Sequence, residues 1–301
     1  MLSTPPNPPA VSPHQTTYTT SQTQKEADKP VYIFGYGSLM FTPARTATTA
    51  DPENTKYIPV KLNGYERDWR LVNKNTKMRV LGINPETITY TTGVIFNTTK
   101  QKLSSFDKRE GENAYQRTLV FKEHFKFYTK EDTVPDNAEI YAYIPIKTDI
   151  REAKGYYLTE NPHDENYKIF LSYRDVVIAG AFEIDEKYKL NGRFAQDTFD
   201  TLNSESYQVE DDRKNPKYSR HPMNLQETLK EKQENLNTKK DELENKKSKL
   251  QQPNDENIQS ELSGISKQLA HIKYFLSQIP SFQKSWPKSL EKIKKIEDKK
   301  K

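Results

Sequence analysis

Between Val31 and Ile146 the apolar residues recur at strand spacing, and after Tyr167 they recur at helix spacing. That order constrains the fold more than any other feature of the chain. Strands first and helices afterwards imply an α+β domain on a mostly antiparallel sheet. The strand-like runs are Val31–Gly35, Tyr57–Leu62 and Trp69–Val72 around Asn63-Gly64, Thr91–Asn97, Tyr115–Tyr128 with an irregularity, and Glu139–Ile146. Asn63-Gly64 reads as a hairpin turn. The sheet is expected to be mixed and to close toward a small barrel. Thr98 or Thr99 can cap a short helix carrying Leu103 and Phe106. Residues 167–180 and 185–202 read as helices, with Ile169, Tyr173, Val176 and Val177 on one face of the first.

The flanks differ in character. Residues 1–29 are rich in Pro, Thr, Ser and Gln and carry too few large apolar groups to offset the entropy of ordering. They are expected to be disordered. Residues 30–223 form the mixed domain, with its core in 31–146. Residues 224–301 form a helical tail. There Leu229, Leu236, Leu243 and Leu250 recur every seven residues up to Pro253-Asn254. Ile258, Leu262, Ile265, Leu269, Ile272, Leu276 and Ile279 follow at alternating spacings of four and three. The pattern fits an antiparallel helical hairpin or a coiled coil. The first helix offers apolar groups at one of its two seam positions, so self-association or a protein partner is expected to cover the second.

The charge sits in the same tail. Residues 225–301 hold 17 Lys and 12 acidic residues, while residues 1–224 balance at 30 against 30. The net charge of +5 therefore says little about a ligand of the front domain. Lysines without interleaved arginines or aromatics are a poor basis for specific nucleic-acid readout. The absence of cysteine excludes disulfides, thiol nucleophiles and Cys-based zinc sites. His14, His124, His163, His221 and His271 show no metal-ligand spacing, so no metal is expected. No run approaches the length of a membrane span, and the N-terminal stretch lacks a secretory pattern. A cytoplasmic location is expected, with delivery elsewhere left open.

Two segments carry the chemistry. Val31-Tyr-Ile-Phe-Gly-Tyr-Gly-Ser-Leu-Met40 reads as a buried strand entering a glycine turn. Such a loop can present main-chain N–H groups to a carboxylate or an oxyanion. Gly37 lets a ligand approach the backbone, and Ser38 can add a hydroxyl. Phe106-Asp-Lys-Arg-Glu-Gly-Glu-Asn-Ala-Tyr-Gln-Arg-Thr118 offers Glu110 at the end of a short helix. A single carboxyl facing the loop can shuttle a proton.

Read together with Gly64-x-x-Arg67-x-Trp69, Gly93-Val-Ile-Phe96 and Tyr115-x-Arg117, this order resembles the γ-glutamylcyclotransferase family over roughly residues 31–146. Ser172-Tyr-Arg-Asp-Val176 and Asp212-Arg-Lys-Asn-Pro-Lys-Tyr-Ser-Arg220 resemble an extension found in some members. The resemblance implies conversion of a γ-glutamyl group to 5-oxoproline with release of an amine, without a cofactor. It implies Glu110 as the catalytic acid/base. Tyr36, Gly37, Ser38 and Leu39 would form the substrate loop, and Tyr115 would line the pocket. Arg117 either joins the site or pairs with Asp107 at the surface. Arg67 and Trp69 would pack under the loop. Asp212, Arg213 and Tyr218 would stitch the extension to the sheet or close over the pocket. The alternative is an inactive domain of the same fold that serves as a scaffold through its tail.

Overall fold

The structure, a computed structural model, describes residues 29–49, 56–111, 114–130, 132–147, 155–159, 161, 164–202, 207–218, 225–249 and 256–277. The expectation for residues 1–28 and the basic end after Ser277 lie outside these.

A long hairpin frames the sheet. Strand β1 (Val31–Gly35) runs antiparallel to β3 (Met78–Thr98), which pairs with β2 (Tyr57–Asn73). The expected hairpin turn at Asn63-Gly64 is instead a register shift inside β2. Gly64 takes φ +82° opposite residues 86–89 of β3, so the extra residues bulge from β3, and pairing resumes at Tyr65 with Pro85. The turn of the hairpin lies at residues 74–77. Strand β4 (Tyr115–Val120) and β5 (Phe125–Phe127) flank a short 3-10 turn at Lys122–His124. Strand β6 (Glu139–Pro145) lies parallel to β1, and β7 (Tyr156–Leu158) extends β2. The order is β4-β6-β1-β3-β2-β5, mixed and mostly antiparallel.

The sheet curls but does not close into the expected barrel. β4 sits at one edge and β5 at the other, and no hydrogen-bonded pairing joins them among the described residues. Only Phe121–His124 separate the two strands, and four residues span at most about 14 Å. The edges therefore approach each other, while the 3-10 turn rotates the backbone out of ladder register.

Six α-helices are described. Helix α1 (Thr42–Thr49) follows the 3-10 turn Ser38–Met40, and α2 (Lys100–Glu110) leads into β4. Thr99 caps α2 by accepting from the Lys102 N–H, and Leu103 and Phe106 face the core. Helix α3 (Leu171–Lys187) is buried almost throughout, polar Ser172, Arg174, Asp175 and Asp185 included. It starts four residues later than expected because Ile169–Phe170 pair with Val209–Glu210 as a two-stranded parallel sheet. The second expected helix is shortened to α4 (Arg193–Thr201). Lys189, Asn191 and Gly192 all take positive φ and break the chain. The Asp185 carboxylate accepts from the Gly192 and Ala195 N–H groups at 2.5 and 2.7 Å, which fixes the start of α4.

Polar groups hold the extension together and tie it to β2 of the sheet. Asp212 accepts from Ser172 N and Oγ at 2.9 and 2.5 Å. Arg213 and Asp175 form a buried bidentate pair at 2.6 and 3.0 Å. Arg67 reaches α4 at Thr201 Oγ1, 2.8 Å, and Trp69 Nε1 donates to Leu202 O, 2.7 Å.

Helices α5 (Leu225–Lys249) and α6 (Glu256–Ser277) pack together as a hairpin. Part of their apolar seam is covered within this chain. Ile258, Ile265, Leu269 and Ile272 are buried within this chain, and Leu229 and Ile272 join the main core. Gln268 Nε2 donates to Asn191 O at 2.5 Å, and the Lys232 ammonium lies 5.0 Å from the Phe182 ring centre. The one-sided leucine pattern of α5 is accommodated because α6 also leans on α4. Removing residues 224–301 is therefore expected to uncover Leu190 and Phe182. The loss of a few buried aliphatic groups, each worth about 1.5–3 kcal/mol, should lower the melting temperature by about 10 °C or more. An unchanged melting curve would show that the docking adds no stability.

Candidate active site

The Gly-Tyr-Gly turn folds as it does because Gly35 has no room for a side chain. A Cβ there would lie 2.7 Å from Leu39 Cβ. The chain leaves β1, turns at Gly37 (φ −119°, ψ −128°) and enters the 3-10 turn. Met40 N–H and Phe41 N–H are used inside the turn, on Gly37 O and Ser38 O. No side chain caps its start, so the N–H groups of Gly37, Ser38 and Leu39 head the turn uncapped. Leu39 itself is buried.

Glu110 is the last residue of α2. Gly111, at φ +79°, ends the helix with its N–H on Asp107 O, so the helix cannot continue past the carboxylate. Arg109 then joins Glu110 to the loop. Its Nε lies 2.9 Å from Glu110 Oε1, and its Nη2 donates to Ser38 Oγ at 2.9 Å. Its Nη1 reaches Ala44 O at 2.6 Å and also Thr48 Oγ1 on α1. Ser38 thus accepts from Arg109 and keeps its own proton for another partner. In the sequence Arg109 is indistinguishable from a member of a solvated charge run. Only its burial, 12% exposed beside Glu110 at 19%, reveals the link.

Three tyrosines wall the space near Glu110. Tyr36 donates to Tyr143 O at 2.6 Å, and Tyr115 donates to Leu81 O at 2.6 Å. Both phenols are pushed well above the ordinary tyrosine range, chiefly by burial and further by Glu110. They are neutral groups whose protons are already committed to the main chain. The third is Tyr173 of α3, which the sequence placed only on a helix face. Its hydroxyl lies 3.4 Å from where a Cβ on Gly37 would sit.

Arg117 does not enter this space. Its Nη1 lies 2.8 Å from Asp107 Oδ2, and Tyr143 donates to Asp107 Oδ1 at 2.8 Å. Of the two alternatives, the geometry is that of the ion pair. Tyr36, Gly37, Ser38, Leu39, Glu110 and Tyr115 come together; Arg117 touches them only through Asp107 and Tyr143. A cleft of about 1730 Å³ between the helical hairpin and α3–α4 is lined by none of these residues. Among the described residues no helix is long and apolar enough to cross a membrane, and no group of His, Asp or Glu is placed to hold a metal ion.

Residues 31–165 match the family described as ChaC-like protein. Among solved structures, one titled gamma-glutamyl cyclotransferase is 14% identical, covering 67% of this chain and 99% of that one, with a TM-score of 0.36. An uncharacterized protein from Homo sapiens is 16% identical, covering 61% and 94%, with a TM-score of 0.36. YkqA from Bacillus subtilis is 20% identical, covering 56% of each chain, with a TM-score of 0.37. No curated protein matches the chain. The domain built on residues 31–165 is a member of the ChaC-like γ-glutamylcyclotransferase family.

Proposed function

We propose that this protein cyclises a γ-glutamyl group to 5-oxoproline and releases an amine or amino acid, with Glu110 as general acid/base. The observation that carries this reading is the Arg109 bridge, which holds Glu110 and Ser38 of the loop from one guanidinium. Glu110 takes a proton from the α-ammonium of the substrate. The freed amine attacks its own γ-carbonyl carbon, a C–N bond forms, and the carbonyl π electrons move to oxygen. Collapse of this oxyanion breaks the C–N bond to the leaving nitrogen, which takes the proton held by Glu110. The ring nitrogen, left as N–H2+ by the attack, then gives its extra proton through Glu110 to the released amine, so the products are the neutral lactam and an ammonium. Protons balance over the cycle. The nucleophile is tethered to its electrophile, so positioning replaces activation by a cofactor.

The remaining roles follow from placement. The main chain of Gly37, Ser38 and Leu39 holds the glutamyl carboxylate or oxyanion. Tyr36 and Tyr115 shape the walls. Arg117 is a positioning residue that acts through Asp107 and Tyr143, whose carbonyl receives the Tyr36 hydroxyl. The scaffold alternative gains no support from the tail, whose seam is partly covered inside the chain.

The test is 5-oxoproline release by purified protein across glutathione, γ-glutamyl amino acids and γ-glutamylamines. Turnover of at least one is expected; none with any of them would overturn the proposal. Gly37→Val probes the loop. A Cβ at Gly37 meets only ordinary contacts, so the variant should fold. Its methyl groups would occupy the space between the loop and Tyr173. KM is expected to rise about tenfold or more, a loss of about 1.4 kcal/mol of binding. Unchanged steady-state kinetics would remove the loop from the glutamyl site.

A further inference from the structure

We propose that Tyr173, supplied by helix α3 outside the family-matching segment, contacts the substrate and donates a hydrogen bond to the γ-carbonyl oxygen as it becomes an oxyanion. The inference rests on the cyclisation reading above and assigns that reaction a donor from the C-terminal extension.

Position comes first. Tyr173 lies in the first turn of α3, and the preceding Ser172 is pinned by two hydrogen bonds to Asp212. Its ring is held edge-on between Trp69, at 5.9 Å between ring centres, and Tyr218, at 4.9 Å. These contacts leave the ring little rotational freedom. They place its hydroxyl over Gly37, in the space where a ligand held by the loop would sit.

Protonation comes second. Burial, Tyr218 and Glu110 all raise the Tyr173 pKa above the ordinary tyrosine value, so the phenol keeps its proton. The Leu81 main chain, close to the Tyr173 oxygen, eases that rise. The neighbouring Leu81 carbonyl is taken by Tyr115. Tyr36 and Tyr115 give their protons to carbonyls. Tyr173 gives its proton to no acceptor among the described residues. A preorganised neutral donor next to a loop of main-chain N–H groups is the arrangement that stabilises an oxyanion.

Tyr173→Phe tests the assignment because it removes one oxygen and retains the ring packing. Full-length wild type and variant would be compared for kcat and KM on the γ-glutamyl compound that wild type turns over best, with melting curves alongside. The expected result is a fall in kcat of about 100-fold or more, with KM within threefold and a melting temperature within a few degrees. A kcat within threefold of wild type would overturn the inference and leave the cyclisation reading standing. A rise in KM alone would also overturn it, because it would mean ground-state binding only. A wild type that releases no 5-oxoproline from any compound removes both.

Discussion

Glu110→Gln is expected to lower kcat for 5-oxoproline release by about 1000-fold, within the range for loss of a general acid/base. The amide matches the carboxylate in shape and can still accept from Arg109 Nε through its oxygen. The bridge from α2 to Ser38 and α1 should survive, so the melting temperature should stay within a few degrees. KM should change little, since the amide fills the same space but cannot take the ammonium proton. Glu123→Gln is a suitable control, because Glu123 is exposed on the 3-10 turn between β4 and β5. Activity of Glu110→Gln within a few-fold of wild type would exclude Glu110 from the chemistry. A large loss of melting temperature would instead make it a structural partner of Arg109.

Gly180→Val should damage both stability and activity, although residue 180 touches no proposed substrate atom. A Cβ at Gly180 would lie 2.7 Å from Phe41 N and 2.8 Å from Met40 C. Both are main-chain atoms, so the clash cannot be relieved by a rotamer change. Helix α3 would have to move off the 3-10 turn of the proposed substrate loop. Overpacking of this kind costs about 3 kcal/mol, or about 6–12 °C in melting temperature for a domain of this size. The same shift would draw Tyr173 away from Gly37, so kcat/KM should fall further than the fraction unfolded accounts for. Thermal melts and kinetics measured well below the transition separate the two effects. A variant with wild-type melting and kinetics would show that the packing of α3 on the loop is not needed.

The contrast between these two residues shows how much of the site was legible. Glu110 was readable because its placement is local. A capped helix ending in Glu-Gly presents a carboxylate at its last turn whatever surrounds it. The loop was readable for the same reason, since β1 and its glycines specify a strand and a tight turn within ten residues. Tyr173 and Gly180 were not. Their partners lie about 140 residues away in sequence, and helical spacing marks only which residues face inward. On α3, buried almost throughout, even that signal is lost.

The sheet divides along the same line. Alternation alone identified most of its strands, because a half-buried strand imposes a two-residue period. It could not tell the register shift at Gly64 from a turn. Asn-Gly suits both, and the choice depends on whether β3 continues alongside. Nor could it show that β4 and β5, almost contiguous in sequence, end on opposite edges of a sheet that curls without closing. The heptads of the tail determined two amphipathic helices, since a sevenfold apolar repeat has no other way to bury one face. What covers that face is a tertiary matter, and here part of the seam is buried inside the chain, with Gln268 against Asn191 and Leu229 and Ile272 in the main core. Local chemistry determined the elements and the two reactive segments. Long-range packing decided their partners, because burial rewards any complementary apolar surface and the sequence does not record which one is nearest.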